Sequence, residues 1–142
     1  MAVILDTDLL TILQRGSEPA CSRVQRKLER VPEADVFTTI VSFQEQMQGW
    51  LAVLNQARTE KRLLSAYAEL QAMLHDFCRL QVLPFDEAAQ RQFGVLRRHR
   101  TRIGTMDLRI AAIALSRGAI VVSRNIRDFG QVPGLRAEDW TL

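Results

Sequence analysis

The chain has 142 residues, of which 47% are hydrophobic and 25% charged, with 19 basic residues against 16 acidic ones and a net charge of +3. That length suits one domain, residues 1–142, able to bury its apolar surface without disulfides or a structural metal, and the composition excludes a disordered chain. No apolar run is long enough to cross a membrane and no basic, apolar and cleavable leader opens the chain, so a cytoplasmic protein is expected.

"AVIL", Ala2 to Leu5, is a short apolar run ending at Asp6, the pattern of a buried parallel strand that stops where polar chemistry begins. Thr7 to Arg15 reads as a helix closed by Gly16, with Asp8 as its cap. Ser17 is placed to cap a second helix running to about Arg30, with Glu18 and Pro19 in its first turn and Pro32 beyond its end. "DVFTTIV", Asp35 to Val41, is rich in β-branched residues and reads as a strand; Ser42 then caps a helix through Gln56, with Glu45 in its opening turn.

Thr59 to Phe77 carries Leu63, Leu64, Tyr67, Leu70, Leu74 and Phe77 at helical spacing, a stripe read as core or helix-pair contact. Leu80 to Phe85 is a third strand, Asp86 caps a helix from Glu87 to Arg98, and the basic run "RRHRTR" follows. Met106 to Arg117 is a buried helix with Thr105 as N-cap, stopped by Gly118, and Ala119 to Ser123 is a further buried strand with Asp128 just beyond it. Strands alternating with helices along the whole chain predict an α/β/α sandwich around a central, mainly parallel sheet of four to five strands. Cys21 and Cys78 have no CxxC partner, and His75 and His99 form no zinc-like set, so buried reduced thiols are expected.

Asp107 raises the chemical question. It shares the i, i+3, i+4, i+7 stripe of Ile110, Ala111 and Ala114, so a carboxylate projects from the apolar side of a buried helix. Placement at a helix start explains one such acid through the helix dipole. Other acids converge on the same place, however, because functional groups of parallel sheets gather at the carboxyl ends of the strands. Asp6 follows the first strand, Glu45 opens the helix after the second, and Asp128 follows the last. Clustered carboxylates repel one another unless a cation neutralises them, and an oxygen-only set without His or Cys suits Mg²⁺ or Mn²⁺ beside a phosphate.

With those residues in view, "ILDTDLL", "TTIVSFQEQMQG", "IGTMDLRIAAIAL" and "VVSRNIRDFGQVPGLRAEDW" together resemble a PIN-domain ribonuclease of the VapC toxin type, over essentially the whole chain. The resemblance implies a PIN-like α/β/α fold and Mg²⁺- or Mn²⁺-dependent cleavage of RNA, structured RNA such as tRNA being the favoured substrate. Asp6, Glu45 and Asp107 match the family's near-constant acidic ligands, and Asp128 matches its more variable fourth acid. Family members differ in which position of this loop carries the acid, so Asn125 is the alternative. Asp8 departs from the family, which more often has Asn there; it either adds charge to the site or caps the first helix, and the cap is the favoured reading.

Thr7 and Thr105 are candidates for orienting the ligands, although capping also accounts for both hydroxyls. Ser123 and Arg124 are read as structural or solvent-facing. The family also implies a VapB-like antitoxin as partner and a homodimer. For RNA, the bias to 17 Arg over 2 Lys is compatible with phosphate recognition, and Arg97, Arg98, Arg100 and Arg102 form the best basic patch, with a solvated helix end as the equal alternative.

Two other classes compete. "ILDTDLLT" also fits the DxDxxT of a haloacid-dehalogenase-type phosphohydrolase, with Asp6 as nucleophile and Asp8 as acid, but that chemistry needs a lysine and Lys27 and Lys61 sit in helices remote from the strand ends. The third class is a non-catalytic RNA-binding module on the same fold.

Overall fold

A computed structural model describes residues 1–99 and 101–142. Five strands form one sheet in the order β3-β2-β1-β4-β5, every neighbouring pair parallel. They are β1 (Val3–Leu5), β2 (Val36–Thr39), β3 (Val82–Leu83), β4 (Ile120–Val122) and β5 (Ala137–Glu138). The helices are α1 (Thr7–Arg15), α2 (Ala20–Leu28), α3 (Ile40–Gln56), α4 (Glu60–Arg79), α5 (Glu87–Arg97), α6 (Thr105–Arg117) and α7 (Ile126–Phe129).

Strand alternation sorts the core into two layers. Ile4 and Val121 face α5 and α6, packing among Phe93, Leu96, Ile110 and Ile113. Val3, Leu5, Ile120 and Val122 face the other way, onto Leu9, Val24 and Trp140. A third group, Leu10, Met73 and Phe77, joins α1 to α4 with Phe43 and Trp50 packed against it. The chain winds outward from β1 through β2 to β3, then returns to β4 on the other side of β1. That reversal opens a crevice beyond the carboxyl ends of β1 and β4, where ligands bind in open α/β sheets.

Several element ends differ from the sequence reading. β2 stops at Thr39 rather than Val41, because the Thr39 hydroxyl accepts from the Ser42 N–H at 3.2 Å and starts α3 there. Glu45 therefore lies beyond the opening turn, and Ser42 is inside the helix rather than capping it. Asp6, not Asp8, caps α1 by accepting from the Leu9 N–H at 2.9 Å. Ser17 makes no side-chain cap, and α2 begins after Pro19. Gly104 precedes α6 and leaves Thr105 as its first helical residue, with no side-chain cap.

On α4 the buried face is Ala66, Met73 and Phe77, with Leu70 half-buried. Most of the predicted stripe, Leu63, Leu64, Tyr67 and Leu74, is exposed because it lies around the helix from that face. Cys21 is buried as expected, but Cys78 is exposed. No helix among the described residues is long and apolar enough to cross a membrane.

Candidate active site

Asp6 leaves the central strand directly into the crevice. Its N–H donates to the Val122 carbonyl at 3.2 Å, extending the β1–β4 pairing one residue past the strand and holding the carboxylate at the sheet edge. The residue is 4% exposed, and one oxygen is committed to capping α1. Burial pushes its carboxyl up to about 6, with Asp8 and Asp107 adding repulsion, against hydrogen bonds from Ser123 and the Leu9 N–H. Ser123 is fully buried, and its hydroxyl also accepts from the Asn125 N–H at 2.8 Å. It links the Asp6 carboxylate to the loop after β4.

Glu45 reaches the same crevice from α3. The Thr7 hydroxyl donates to Glu45 Oε1 at 2.6 Å and lies 3.0 Å from Ser42 Oγ, so the first residue of α1 fixes the acid of α3. Thr7 therefore contacts a candidate acid, while the cap of α1 is Asp6.

Asp107 enters from the first turn of α6, half-buried. Burial raises its carboxyl and Glu45 and Asp128 raise it further, opposed by Asn125. The Asn125 amide donates to Asp128 Oδ2 at 2.8 Å and to Asp107 Oδ2 at 3.4 Å. Asn125 thus connects the two acids. An acid is tolerated on this apolar helix face because the face ends at the crevice, where the Asn125 amide meets the carboxylate.

Asp6, Thr7, Asp8, Glu45, Asp107, Arg124 and Asn125 line a cavity of about 520 Å³. Asp128 does not line it and joins only through Asn125. Arg124, read on sequence as structural or solvent-facing, closes one side by donating twice to Asp8, from Nε at 2.7 Å and Nη2 at 2.9 Å. A polar pair after a strand is ordinary loop composition, so the structural or solvent-facing reading of Ser123 and Arg124 follows from sequence; the fold places Ser123 beside Asp6 and Arg124 on Asp8.

Thr105 does not reach the acids. It is exposed and lines a different cavity with Phe93, Arg97 and Arg109, because it starts the helix on the flank away from Asp107. Of the proposed RNA-binding arginines, Arg97 lies over the Phe93 ring, Arg98 and Arg102 are exposed, and none of these three lines the acidic cavity. Arg100 lies outside the described residues. Neither Lys27 nor Lys61 lines the cavity, leaving the phosphohydrolase reading without its lysine.

The donor set fits a hard divalent cation: carboxylate oxygens with no His or Cys, two of them, Asp6 and Asp107, raised by burial and by neighbouring acids. Among the described residues no three acids stand close enough to enclose one ion together. Side chains would have to adjust to share it.

A PIN-domain family model matches residues 3–135. The chain belongs to the PIN-domain family. A tRNA(fMet)-specific endonuclease VapC of Salmonella typhimurium is 44% identical over 66 residues, 44% of this chain and 50% of that protein. A ribonuclease VapC2 of Haemophilus influenzae is 38% identical over 74 residues, 49% of this chain and 56% of that one. The chain spans about half the length of these curated relatives. A ribonuclease VapC1 of Haemophilus influenzae is 23% identical over 145 residues, covering 99% of both.

Among solved structures, VapBC-1 from nontypeable Haemophilus influenzae superposes with a TM-score of 0.77 at 21% identity over 100% of both chains, a likeness of fold. DNA-bound VapBC from Salmonella typhimurium gives 0.69 at 26% identity, over 99% of this PIN chain and 98% of the other. The expected α/β/α sandwich is therefore observed, with five strands and an all-parallel sheet.

Proposed function

We propose that this PIN-domain chain is a Mg²⁺- or Mn²⁺-dependent endoribonuclease that hydrolyses RNA phosphodiester bonds, and that it acts in the cytoplasm as the toxin of a toxin–antitoxin pair. The single observation that carries the reading is the meeting of Asp6, Glu45 and Asp107, from β1, α3 and α6, around one open cavity at the strand ends. The names of the relatives support RNA as substrate, with a structured RNA such as tRNA favoured. The VapBC complexes among its structural neighbours support a VapB-like antitoxin as partner. A homodimer is part of the same reading.

Asp6 and Asp107 would hold the cation, with Glu45 and Asp128 completing the donor set. When bound, the ion supplies Lewis-acid polarisation of the phosphate and acidifies the attacking water. The chain's own residues keep the acids oriented: Thr7 donates to Glu45, and Asn125 to Asp107 and Asp128. Arg124 neutralises Asp8, leaving fewer uncompensated charges at the rim.

The test is incubation of the purified protein with tRNA in Mn²⁺, in Mg²⁺ and in EDTA, beside an Asp107→Asn variant, with sequencing of the RNA ends. Cleavage at defined positions is expected with either ion and is lost in EDTA and in the variant. Equal loss in every sample would indicate a contaminant, and intact RNA in every sample would favour the binding module.

A further inference from the structure

A second cavity lies on the opposite flank of α6 from Asp107. It has a volume of about 290 Å³ and is lined by Phe93, Arg97, Thr101, Thr105, Leu108 and Arg109. Its charge is opposite to that of the acidic cavity. The Arg97 guanidinium lies 5.6 Å and that of Arg109 5.5 Å from the centre of the Phe93 ring, so one buried aromatic gathers two cations from neighbouring helices.

No carboxylate lines this cavity. Arg91, Arg117, Arg124 and Arg136 each have an acidic partner among the described residues, whereas Arg97 and Arg109 have none within salt-bridge distance there. Arg109 spends one N–H on the Met106 sulfur at 3.9 Å, a weak acceptor, and its other donors stay available. Two like charges lining one cavity, with Thr101 and Thr105 also at its wall, make a receptor for an oxyanion.

We propose that this cavity binds a backbone phosphate of the RNA, about two nucleotides along the strand from the one presented to Asp6 and Asp107. Residues 107 and 109 project from nearly opposite sides of α6, so the first turn of that helix separates the two cavities by about one helix width, roughly 10 Å. A single strand lying across that turn meets the acidic cavity on one flank and the arginine pair on the other. The arginines thereby fix the register of the strand. The inference rests on the nuclease reading for the identity of the anion, but its binding can be measured without cleavage.

The experiment uses the full chain carrying Asp107→Asn, titrated with a fluorescein-labelled single-stranded RNA by anisotropy at KCl concentrations from about 50 to 200 mM. Adding Arg97→Gln and Arg109→Gln together should weaken binding and lower the slope of log Kd against log salt by about 0.7, the value for one phosphate contact on a single strand. The Arg97→Lys and Arg109→Lys pair keeps both charges and should keep the slope. In the otherwise wild-type chain the Gln pair should raise KM for RNA cleavage with kcat little changed.

An unchanged slope in the Gln pair, or a Lys pair that loses the slope equally, overturns the site and makes the arginines a lid on Phe93. Failure of the parent to bind RNA overturns it too. Cleavage with an unchanged slope removes this site and leaves the nuclease reading standing. A lowered slope in a chain that cleaves nothing supports this site and removes that reading. If the Gln pair does not fold, the Lys pair and each single Gln variant decide the slope.

Discussion

The Thr7 hydroxyl donates to Glu45 Oε1 at 2.6 Å, joining the residue after Asp6 to an acid 38 positions away. A charge-assisted bond this short fixes the Glu45 rotamer before any ligand arrives. Thr7→Val keeps the shape and removes the donor. The expected result is a loss of about 10- to 100-fold in divalent-cation affinity or cleavage rate, as for other partners of metal-binding carboxylates, while Thr7→Ser stays near wild type. Cleavage rate against Mn²⁺ concentration measures both. Equal activity of the Val and Thr proteins would remove Thr7 from the machinery.

The Asp6 carboxyl, pushed by burial from the ordinary 3.8 to about 6, sets a pH dependence. At this group the folded chain binds more protons than the unfolded one between those values, so its contribution to metal-free stability is full below the lower value and is lost as pH rises through the upper one. Asp107, also raised, adds to the same decline. Asp6→Asn removes the buried charge but retains an oxygen to cap α1, since Asn caps as well as Asp. Without divalent ions it should be more stable than wild type at pH 7.5 by up to about 3 kcal/mol, the difference vanishing near pH 4. It should also be inactive. Urea denaturation at both pH values checks this, and a variant less stable than wild type at pH 7.5 would contradict it.

Asp6 and Asp107 were legible because each interrupts an apolar pattern: one ends the run that becomes β1, and the other lies on the buried stripe of α6. Glu45 was found through the same strand-end logic, although Thr39 starts α3 earlier than Ser42 would. Legibility failed where backbone course, not residue pattern, decides direction. Ser123 faces Asp6 because its N–H pairs with the Glu138 carbonyl at 3.0 Å, a contact with a two-residue strand that carries no periodic signal. Threonine is common at helix caps, which is why the sequence suggests Thr105 there, but Gly104 takes that position and Thr105 lies on the other flank. The exposed Leu64 and Tyr67 on α4 show the limit of helical spacing: it identifies an apolar face without saying whether this chain covers it.

The Arg124–Asp8 pair tests which acids act. It is bidentate but solvent-exposed on both sides, and such pairs contribute about 0–1 kcal/mol. Asp8→Asn restores the residue more frequent in the family and should change the melting temperature by no more than about 4 °C. Cleavage of RNA should persist. Loss of cleavage together with loss of phosphate release from p-nitrophenyl phosphate would instead assign Asp8 the acid role of a phosphohydrolase. Retained cleavage with no p-nitrophenyl phosphate activity in either protein places the chemistry on Asp6, Glu45 and Asp107.

Asn125 spans the gap between Asp107 and Asp128 with one neutral amide. Asn125→Asp replaces that donor by a third carboxylate at almost constant volume, so two hydrogen bonds to charged acceptors become repulsions. A hydrogen bond to a charged group contributes about 1.5–3 kcal/mol, and the melting temperature of the metal-free variant should fall by roughly 5 °C or more at pH 7.5. The added charge also offers a divalent ion another oxygen donor, so saturating Mn²⁺ should raise the melting temperature of the variant more than that of wild type. Lowering the pH to about 5 should narrow the metal-free difference, because the raised Asp107 carboxyl takes up a proton more readily as pH falls. Thermal scans with Mn²⁺ and with EDTA at the two pH values read all three effects. A variant as stable as wild type in EDTA, or one that gains no more from Mn²⁺, would mean that these acids do not share a charge-sensitive site.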